Sequence, residues 1–472
     1  MTAPDPPAPH PAHPHPAHPR PTAPGLIVAA PKSGSGKTVL TLGLMRALTR
    51  RGLRVAPAKV GPDYIDPAFH AAACGRASVN LDPWAMRPAT LDRLAAELGG
   101  GRDGTPSDIV LVEGVMGLFD GAADGTGSTA DLAARAGWPV LLTLDVTGQG
   151  ASAMAVIDGF ARYRADISFA GVVLNRVGSA RHRALIEGAG ARGAAPGVPA
   201  DSPPILGALM RNEGLALPAR HLGLVQASET ADLDTFLERA ADAVEAGVDL
   251  DRLVDAARPA HLAPSSPASM DAAWGAPPGR RIAVARDAAF AFVYPHLLAE
   301  WRAVGAEILP FSPLDGQGPD AGADAVYLPG GYPELHGARI AGNAAFLDGL
   351  RAAAGRGAAI FGECGGYMVL GERIVDGDGR GHAMAGLLPL VTSFAERRLH
   401  LGYRRAAALS PCAPAAAGAR LSGHEFHYAT TLHEGPGDPL FHLWDAGGAD
   451  LGTAGLARGT VAGSFLHIVD RA

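Results

Sequence analysis

The stretch from Leu26 to Leu48 leaves the chain few ways to fold. An apolar run, Leu26-Ile-Val-Ala-Ala30, leads into Pro31-Lys-Ser-Gly-Ser-Gly-Lys-Thr38, and the amphipathic Val39-Leu-Thr-Leu-Gly-Leu-Met-Arg-Ala-Leu48 follows. A strand that turns tightly into a helix aims successive backbone N–H groups at one point, and such a nest binds phosphate. Gly34 and Gly36, with Ser35 between them, allow the bend; Lys37 is placed to reach β- and γ-oxygens, and Thr38 to offer its hydroxyl to Mg²⁺. The spacing therefore predicts a phosphate-binding loop that takes ATP with Mg²⁺.

Further apolar runs repeat the strand signal at Asp108-Ile-Val-Leu-Val112, Val140-Leu-Leu-Thr-Leu144 and Ala170-Gly-Val-Val-Leu174, with Ala/Leu/Arg-rich helical stretches between them. Buried strands alternating with helices predict a parallel sheet covered on both faces, which binds ligands beyond its strand C-termini. Three expectations follow for that edge. Glu113, ending a strand and followed by the Gly-rich Val115-Met-Gly-Leu-Phe-Asp-Gly121, is a candidate Mg²⁺ ligand with Thr38. In Lys59-Val-Gly-Pro-Asp-Tyr-Ile-Asp-Pro67, Asp63 is a second metal candidate and Lys59 a candidate for stabilising a transferred phosphoryl group, with Asp66 on the same edge and a surface ion pair as the plainer reading. Asn175 ends another strand and either reads adenine or caps a loop. Lys32 occupies the place where the deviant P-loop families carry an extra signature lysine, and joins the nucleotide-binding set.

The rest of the chain divides readily. Residues 1–24 are Pro- and His-rich and cannot bury apolar area, so a disordered tail is expected, with His10, His13, His15 and His18 solvated rather than metal-bound. The first domain is expected over 25–249, a Pro/Ala/Ser linker over 250–279, and a second α/β domain over 280–472, with strands at Arg281-Ile-Ala-Val-Ala285, Ala323-Asp-Ala-Val-Tyr-Leu328 and Ala358-Ala-Ile-Phe361. A net charge of −7 gives no sign of a nucleic-acid surface. No apolar run reaches the ~18 residues of a membrane helix, and the N-terminus lacks a secretory pattern. Three cysteines make no disulfide framework, so a cytoplasmic setting is expected.

One of those cysteines stands apart. Phe361-Gly-Glu-Cys-Gly-Gly366 is a nucleophile elbow in which flanking glycines permit a sharp strand-to-helix turn and expose Cys364 at a helix N-terminus, where the dipole is expected to lower the thiol pKa. Cys74, in Ala71-Ala-Ala-Cys74, reads as a buried small hydrophobe. The base expected for Cys364 is His467 in Gly463-Ser-Phe-Leu-His-Ile468, while His424 and His427 are expected to face a substrate. Backbone N–H groups of Tyr327-Leu-Pro-Gly-Gly-Tyr332 are candidates for an oxyanion hole.

Longer runs carry a resemblance. Lys59-Val-Gly-Pro-Asp-Tyr-Ile-Asp-Pro-Ala-Phe-His70, Ser78-Val-Asn-Leu-Asp82, Val112-Glu-Gly-Val-Met-Gly-Leu-Phe-Asp-Gly121, Leu217-Pro-Ala-Arg-His-Leu-Gly-Leu-Val-Gln226, Arg281-Ile-Ala-Val-Ala-Arg-Asp287 and Ser393-Phe-Ala-Glu-Arg-Arg-Leu-His-Leu-Gly-Tyr403 resemble the cobyrinic acid and hydrogenobyrinic acid a,c-diamide synthases. The resemblance implies a two-domain α/β chain. A P-loop domain similar to dethiobiotin synthetase, its parallel sheet flanked by helices, is joined to a class I glutamine amidotransferase domain. It further implies that Cys364 takes ammonia from L-glutamine while ATP activates the a and c acetates of a corrinoid polycarboxylate as acyl phosphates. Tyr64, His70, Arg397, Arg398, His400 and Arg404 are then candidates for the macrocycle's carboxylates. One departure stands out: class I amidotransferases place a glutamate two residues after the histidine, where this chain has Val469, so a Cys–His dyad is expected.

The Ser393-Phe-Ala-Glu-Arg-Arg398 and Pro31-Lys-Ser-Gly-Ser-Gly36 stretches look more like the cobalt-free, aerobic-pathway members, which favours hydrogenobyrinic acid over cobyrinic acid, with a nickel-sirohydrochlorin relative more distant. Small-molecule substrates are the expected partners, with no nucleic acid or membrane, and a homodimer is admitted. Two other classes compete. A regulatory P-loop ATPase with an inactive amidotransferase domain is favoured by Lys32 and opposed by intact Cys364 and His467. A standalone glutaminase with a nucleotide sensor predicts glutamine hydrolysis without any acceptor.

Overall fold

A computed structural model of the chain describes residues 23–101, 105–191, 202–217, 219–220, 223–261, 276–412 and 415–472. The four tail histidines and the linker positions 262–275 lie outside the described residues, as does part of the Leu217–Gln226 run.

The first domain is the parallel sheet expected. Its strands β1 (Pro24–Ala29), β2 (Val55–Val60), β3 (Val79–Leu81), β4 (Ile109–Glu113), β5 (Val140–Asp145), β6 (Phe169–Val177) and β7 (Ile205–Met210) lie in the order β3-β2-β4-β1-β5-β6-β7. Every residue of β2 and β4 is buried, because helices cover both faces, and this explains continuous rather than alternating hydrophobicity. Helix α1 (Lys37–Arg50) starts at Gly36, whose φ of 88° is left-handed and suits glycine. Against α1 lies the helix Leu233–Gly247. Gly43 permits that approach, since a Cβ there would come within 2.6 Å of the Ala240 carbonyl oxygen. The expected linker begins too early. Residues 250–256 form a helix that buries Leu250 and Leu253, and Arg258–Pro259 pairs antiparallel with β1, so both belong to the first sheet's surroundings.

The second domain contains a ten-stranded sheet of mixed direction. Strands Glu307–Phe311, Arg281–Ala285, Ala325–Leu328, Ala359–Glu363 and Val461–Ser464 run parallel; the middle three follow the expected apolar runs, and the outer two add to them. The other half is antiparallel: Asp450–Arg458, Asp438–Asp445, His400–Ala408, Arg420–His427 and His467–Arg471. Its Gly-, His- and charge-rich strands are half solvated, so they lack the apolar signal of a covered sheet.

The domains meet over a core-like contact. One apolar cluster takes in Leu81, Trp84 and Leu94 from the first and Tyr294, Leu297, Trp301 and Ile468 from the second. Polar ties ring it. Asp470, near the C-terminus, accepts from the Arg87 backbone N–H at 2.8 Å and its guanidinium at 3.0 Å. Tyr403 donates to the buried Asp82 at 3.1 Å, and the Arg405 guanidinium lies 4.1 Å over the Trp84 ring. Among the described residues no helix is long and apolar enough to cross a membrane.

Candidate active sites

At the C-terminal edge of the first sheet, a cavity of about 980 Å³ opens over the phosphate loop. Lys32, Gly34, Gly36, Lys37 and Thr38 line it, Lys32 being exposed at the mouth. Gly34 and Gly36 both take positive φ, 76° and 88°, and Ser35 braces the turn by donating to the Lys32 carbonyl at 3.0 Å. The far end is lined by Asp145, Thr147, Gln149, Arg176 and Arg211, which the sequence reading did not single out. Asn175 serves differently from adenine reading. Its amide donates to the Ser35 carbonyl at 2.8 Å and its oxygen accepts from the Arg176 N–H at 2.9 Å, so it clamps the loop. A Cβ on Gly36 would fall 2.1 Å from that amide nitrogen, a second reason for glycine there.

Behind the loop lies a buried charge cluster. Strands β2 and β4 pair in a register that sets Lys59 opposite Glu113. Lys59 Nζ donates to Glu113 Oε1 at 3.1 Å and to Asp66 Oδ2 at 2.5 Å. Glu113 also accepts from the Thr38 hydroxyl at 2.6 Å, and His70 Nε2 stands 2.7 Å from its other oxygen. Burial alone would push Glu113 up, but Lys59, His70 and Thr38 hold it well below the usual carboxylate range. Burial and Asp63 push Asp66 up against the pull of Lys59, as expected when two buried carboxylates share one ammonium. Burial and the neighbouring Lys59 pull Lys37 down, although Glu113 and Asp66 oppose them.

Several expectations shift here. Lys59 is no surface ion pair; it is almost wholly buried. His70 orients Glu113 rather than facing a macrocycle, and its Nδ1 meets the Ser78 hydroxyl at 3.1 Å. Asp63 caps α2 (Asp66–Cys74), its Oδ1 accepting from the Ile65 and Asp66 N–H groups at 2.7 and 3.2 Å. Asp66, not Asp63, is the carboxylate set against Lys59. The Thr38 hydroxyl and the Glu113 carboxylate beside the phosphate loop are hard oxygen donors of the kind Mg²⁺ takes. Among the described residues no group of three or more His, Cys, Asp or Glu side chains forms an all-protein cage, so phosphate and water would complete the set.

In the second domain, Cys364 sits between Ala359–Glu363 and Gly365–Leu370 with φ 47° and ψ −102°, a strained conformation characteristic of a nucleophile elbow. Its N–H is fixed to the Ser464 carbonyl at 2.8 Å. Gly330 brings the base close: a Cβ there would stand 2.5 Å from His467 Cε1 and 3.4 Å from Cys364 Cβ. Gly331 N would lie 3.1 Å from a Cβ on Gly365, so the expected oxyanion turn abuts the elbow. The thiol differs from expectation. Burial, reinforced by the Glu334 carboxylate, pushes it well up and outweighs the short helix. Burial also pulls His467 well below its ordinary range, with His424 adding to the effect. At rest the pair is a neutral thiol and a neutral imidazole.

With Val469 buried and apolar, the acidic neighbour of His467 comes from elsewhere in the sequence. Glu363, next to the nucleophile, lies 4.0 Å from His467 Nδ1 and accepts from the Tyr327 hydroxyl at 2.7 Å and the Ile468 N–H at 3.1 Å. Burial pushes Glu363 up to about 8, so this approach joins a neutral acid and a neutral ring rather than an ion pair.

Between the two sites lies a second cavity of about 620 Å³, lined by Asp63, Tyr64, Met116, Phe292, Tyr403, Arg404 and His424 among others. Arg404 pairs with Glu425 at 2.7 Å. Arg397 and Arg398 are exposed, and neither they nor His400 line this cavity. Of the two histidines expected to face substrate, His424 lines this cavity, while His427 packs on Phe465 with ring centroids 4.0 Å apart.

Comparison with known proteins adds the following. Residues 26–225 match the CobQ/CobB/MinD/ParA nucleotide binding domain, and residues 281–471 match the CobB/CobQ-like glutamine amidotransferase domain. The chain is 56% identical to the hydrogenobyrinate a,c-diamide synthase of Rhodobacter capsulatus, over 94% of this chain and 98% of that protein. It is 54% identical to the enzyme of that name from a Sinorhizobium species, over 94% and 98%, and 52% identical to that of Rhizobium meliloti, over 94% and 99%.

Two outcomes are expected from the buried carboxylates. Lys59→Ala strands Glu113 and Asp66 without their cation and should lower unfolding free energy by ~3–5 kcal/mol in denaturant titration; a loss under ~1 kcal/mol would mean water reaches the cluster. For Glu363 the folded-state pKa is raised, so the unfolded chain releases this proton first as pH climbs. The stability it contributes is present below the ordinary value of 4.5 and is lost as pH rises through about 8. Glu363→Gln removes that slope, so its Tm relative to wild type should rise from about pH 5 to about pH 8, and a flat difference would contradict it.

Proposed function

We propose, for a chain that belongs to the hydrogenobyrinate a,c-diamide synthase family, that it converts the a and c acetates of hydrogenobyrinic acid to carboxamides using ATP and L-glutamine. The observation that carries this reading is the apolar cavity between a phosphate-loop edge and a cysteine elbow, bounded by residues of both domains. A flat macrocycle with carboxylate arms suits such a cavity, where aromatic walls stack and Arg404 meets a carboxylate.

The chemistry divides between the sites. In the second domain Cys364 Sγ attacks the glutamine carboxamide carbon as His467 takes the thiol proton. The C–N bond breaks, the proton passes to departing ammonia, and water hydrolyses the thioester to glutamate. Because both groups rest neutral and buried, the nucleophile forms only when a substrate is there to receive it. The N–H groups of Gly331 and Gly365 are suited to hold the oxyanion.

In the first domain a substrate carboxylate oxygen attacks the γ-phosphorus of ATP, giving an acyl phosphate and ADP. Ammonia then attacks the acyl carbon and phosphate leaves. Lys37 and the loop N–H groups hold the phosphates, and Lys59, fixed by Asp66 and Glu113, sets a positive charge behind the transfer. Thr38 and Glu113, with Asp63 on the same edge, would hold Mg²⁺, which neutralises phosphate charge when bound.

Mass spectrometry of hydrogenobyrinic acid incubated with enzyme, ATP, Mg²⁺ and glutamine tests the reading. A two-amide product is expected; in Cys364→Ala it should vanish with glutamine and return with ammonium. An unchanged substrate mass with ATP still hydrolysed would exclude this acceptor, leaving cobyrinic acid as the next to assay.

A further inference from the structure

His467 does not find its Nδ1 partner within its own domain. The hydroxyl of Tyr64, from the loop that follows β2 in the first domain, stands 3.3 Å from that nitrogen, with ring centroids 5.3 Å apart. Two other groups could have taken the place. Val469 has no polar atom, and Glu363 stays 4.0 Å away with its oxygens occupied by the Tyr327 hydroxyl and the Ile468 N–H. The phenol itself is held firmly, packed 4.3 Å from Tyr294 and stacked 5.1 Å from Phe292 at an interplanar angle of 9°. A base needs its free nitrogen toward the thiol and its proton on the other, and the partner of that second nitrogen decides which tautomer is present.

We propose that Tyr64 is a positioning residue for the glutaminase, completing in the second domain what Cys364 and His467 begin. It holds His467 in the Nδ1–H tautomer by accepting that proton's hydrogen bond, which leaves Nε2 for the thiol. This rests on the reading of Cys364 and His467 as the glutaminase pair. The position of Tyr64 in the chain gives the contact a further role. One residue before it, Asp63 caps α2 through the Asp66 N–H; two residues after it, Asp66 grips Lys59, which in turn holds Glu113. The loop that carries the phenol is thus anchored in the phosphoryl-transfer cluster. Glutamine is hydrolysed efficiently only when that loop is seated, so ammonia release is tied to a formed synthetase site rather than to glutamine alone.

The test uses the full chain and compares two nitrogen donors. With ATP and acceptor fixed, amide formation is measured with glutamine and with ammonium chloride, together with glutamate release. Tyr64→Phe removes only the hydroxyl. Its kcat with glutamine should fall ~10- to 100-fold with the KM for glutamine unchanged. The ammonium-dependent rate should fall much less, so the glutamine-to-ammonium ratio drops. Arg87→Ala loses an ion pair with Asp470 across the same interface and touches neither Tyr64 nor His467, and its ratio should stay near wild type. An unchanged ratio in Tyr64→Phe overturns the proposal, even if both rates fall together, because the phenol would then serve the acceptor. An equal drop in Arg87→Ala overturns it too, by assigning the effect to the interface as a whole. Persistence of glutamine-dependent amidation in Cys364→Ala would instead sink the glutaminase reading itself.

Discussion

A single ammonium in a nearly dry setting organises the first domain. Lys59 reaches Glu113 across the register of β2 and β4, and Asp66 from the start of α2. His70 from the same helix and Thr38 from α1 then fix the two oxygens of Glu113. Two strands and two helices therefore meet at one charge. Buried ion pairs seldom add net stability over an apolar core, because desolvation consumes the attraction, yet removing one partner is severe. The arrangement keeps a positive charge preorganised at the strand edge, where the proposed phosphoryl transfer would develop negative charge.

The other site follows the opposite electrostatic rule. Burial and the Glu334 carboxylate hold the Cys364 thiol up while burial and His424 hold His467 down, so both stay neutral and the thiol lacks the standing nucleophilicity of an exposed, activated cysteine. Strain at Cys364 and the glycines around it supply geometry instead of charge. One chain thus prepares one half-reaction with a fixed charge and the other with a fixed shape.

Much of this was legible in the residues. The phosphate loop, its strand and helix, Lys59, Glu113 and the cysteine elbow could be read because each is a local pattern whose neighbours in sequence are its neighbours in space. What escaped the reading depended on pairings between distant segments. Asp66 could be placed on the right edge but not given a partner, and His70 was assigned to the macrocycle, since only the packing of α2 against the paired β2 and β4 shows which groups converge on Lys59 and Glu113. The sequence leaves Asn175 between reading adenine and capping a loop, and only the path of β6 shows its amide turned under the phosphate loop. Glu363 went unremarked beside Cys364 because the search for an acid looked after His467, where the chain has Val469. The outer antiparallel strands of the second sheet, half solvated and rich in glycine and charge, carried no periodic signal.

The apolar cluster that runs unbroken from Leu81 and Leu94 to Trp301 and Ile468 has a consequence for descent. A hinge of water and polar contacts lets domains be shuffled between genes, since each half arrives already complete. Here each half supplies the other's interior, and a replacement half from another lineage would need matching shapes along the whole seam. A change of side-chain volume on one side of this seam is accordingly felt by residues on the other, so substitutions there are coupled across the domain boundary.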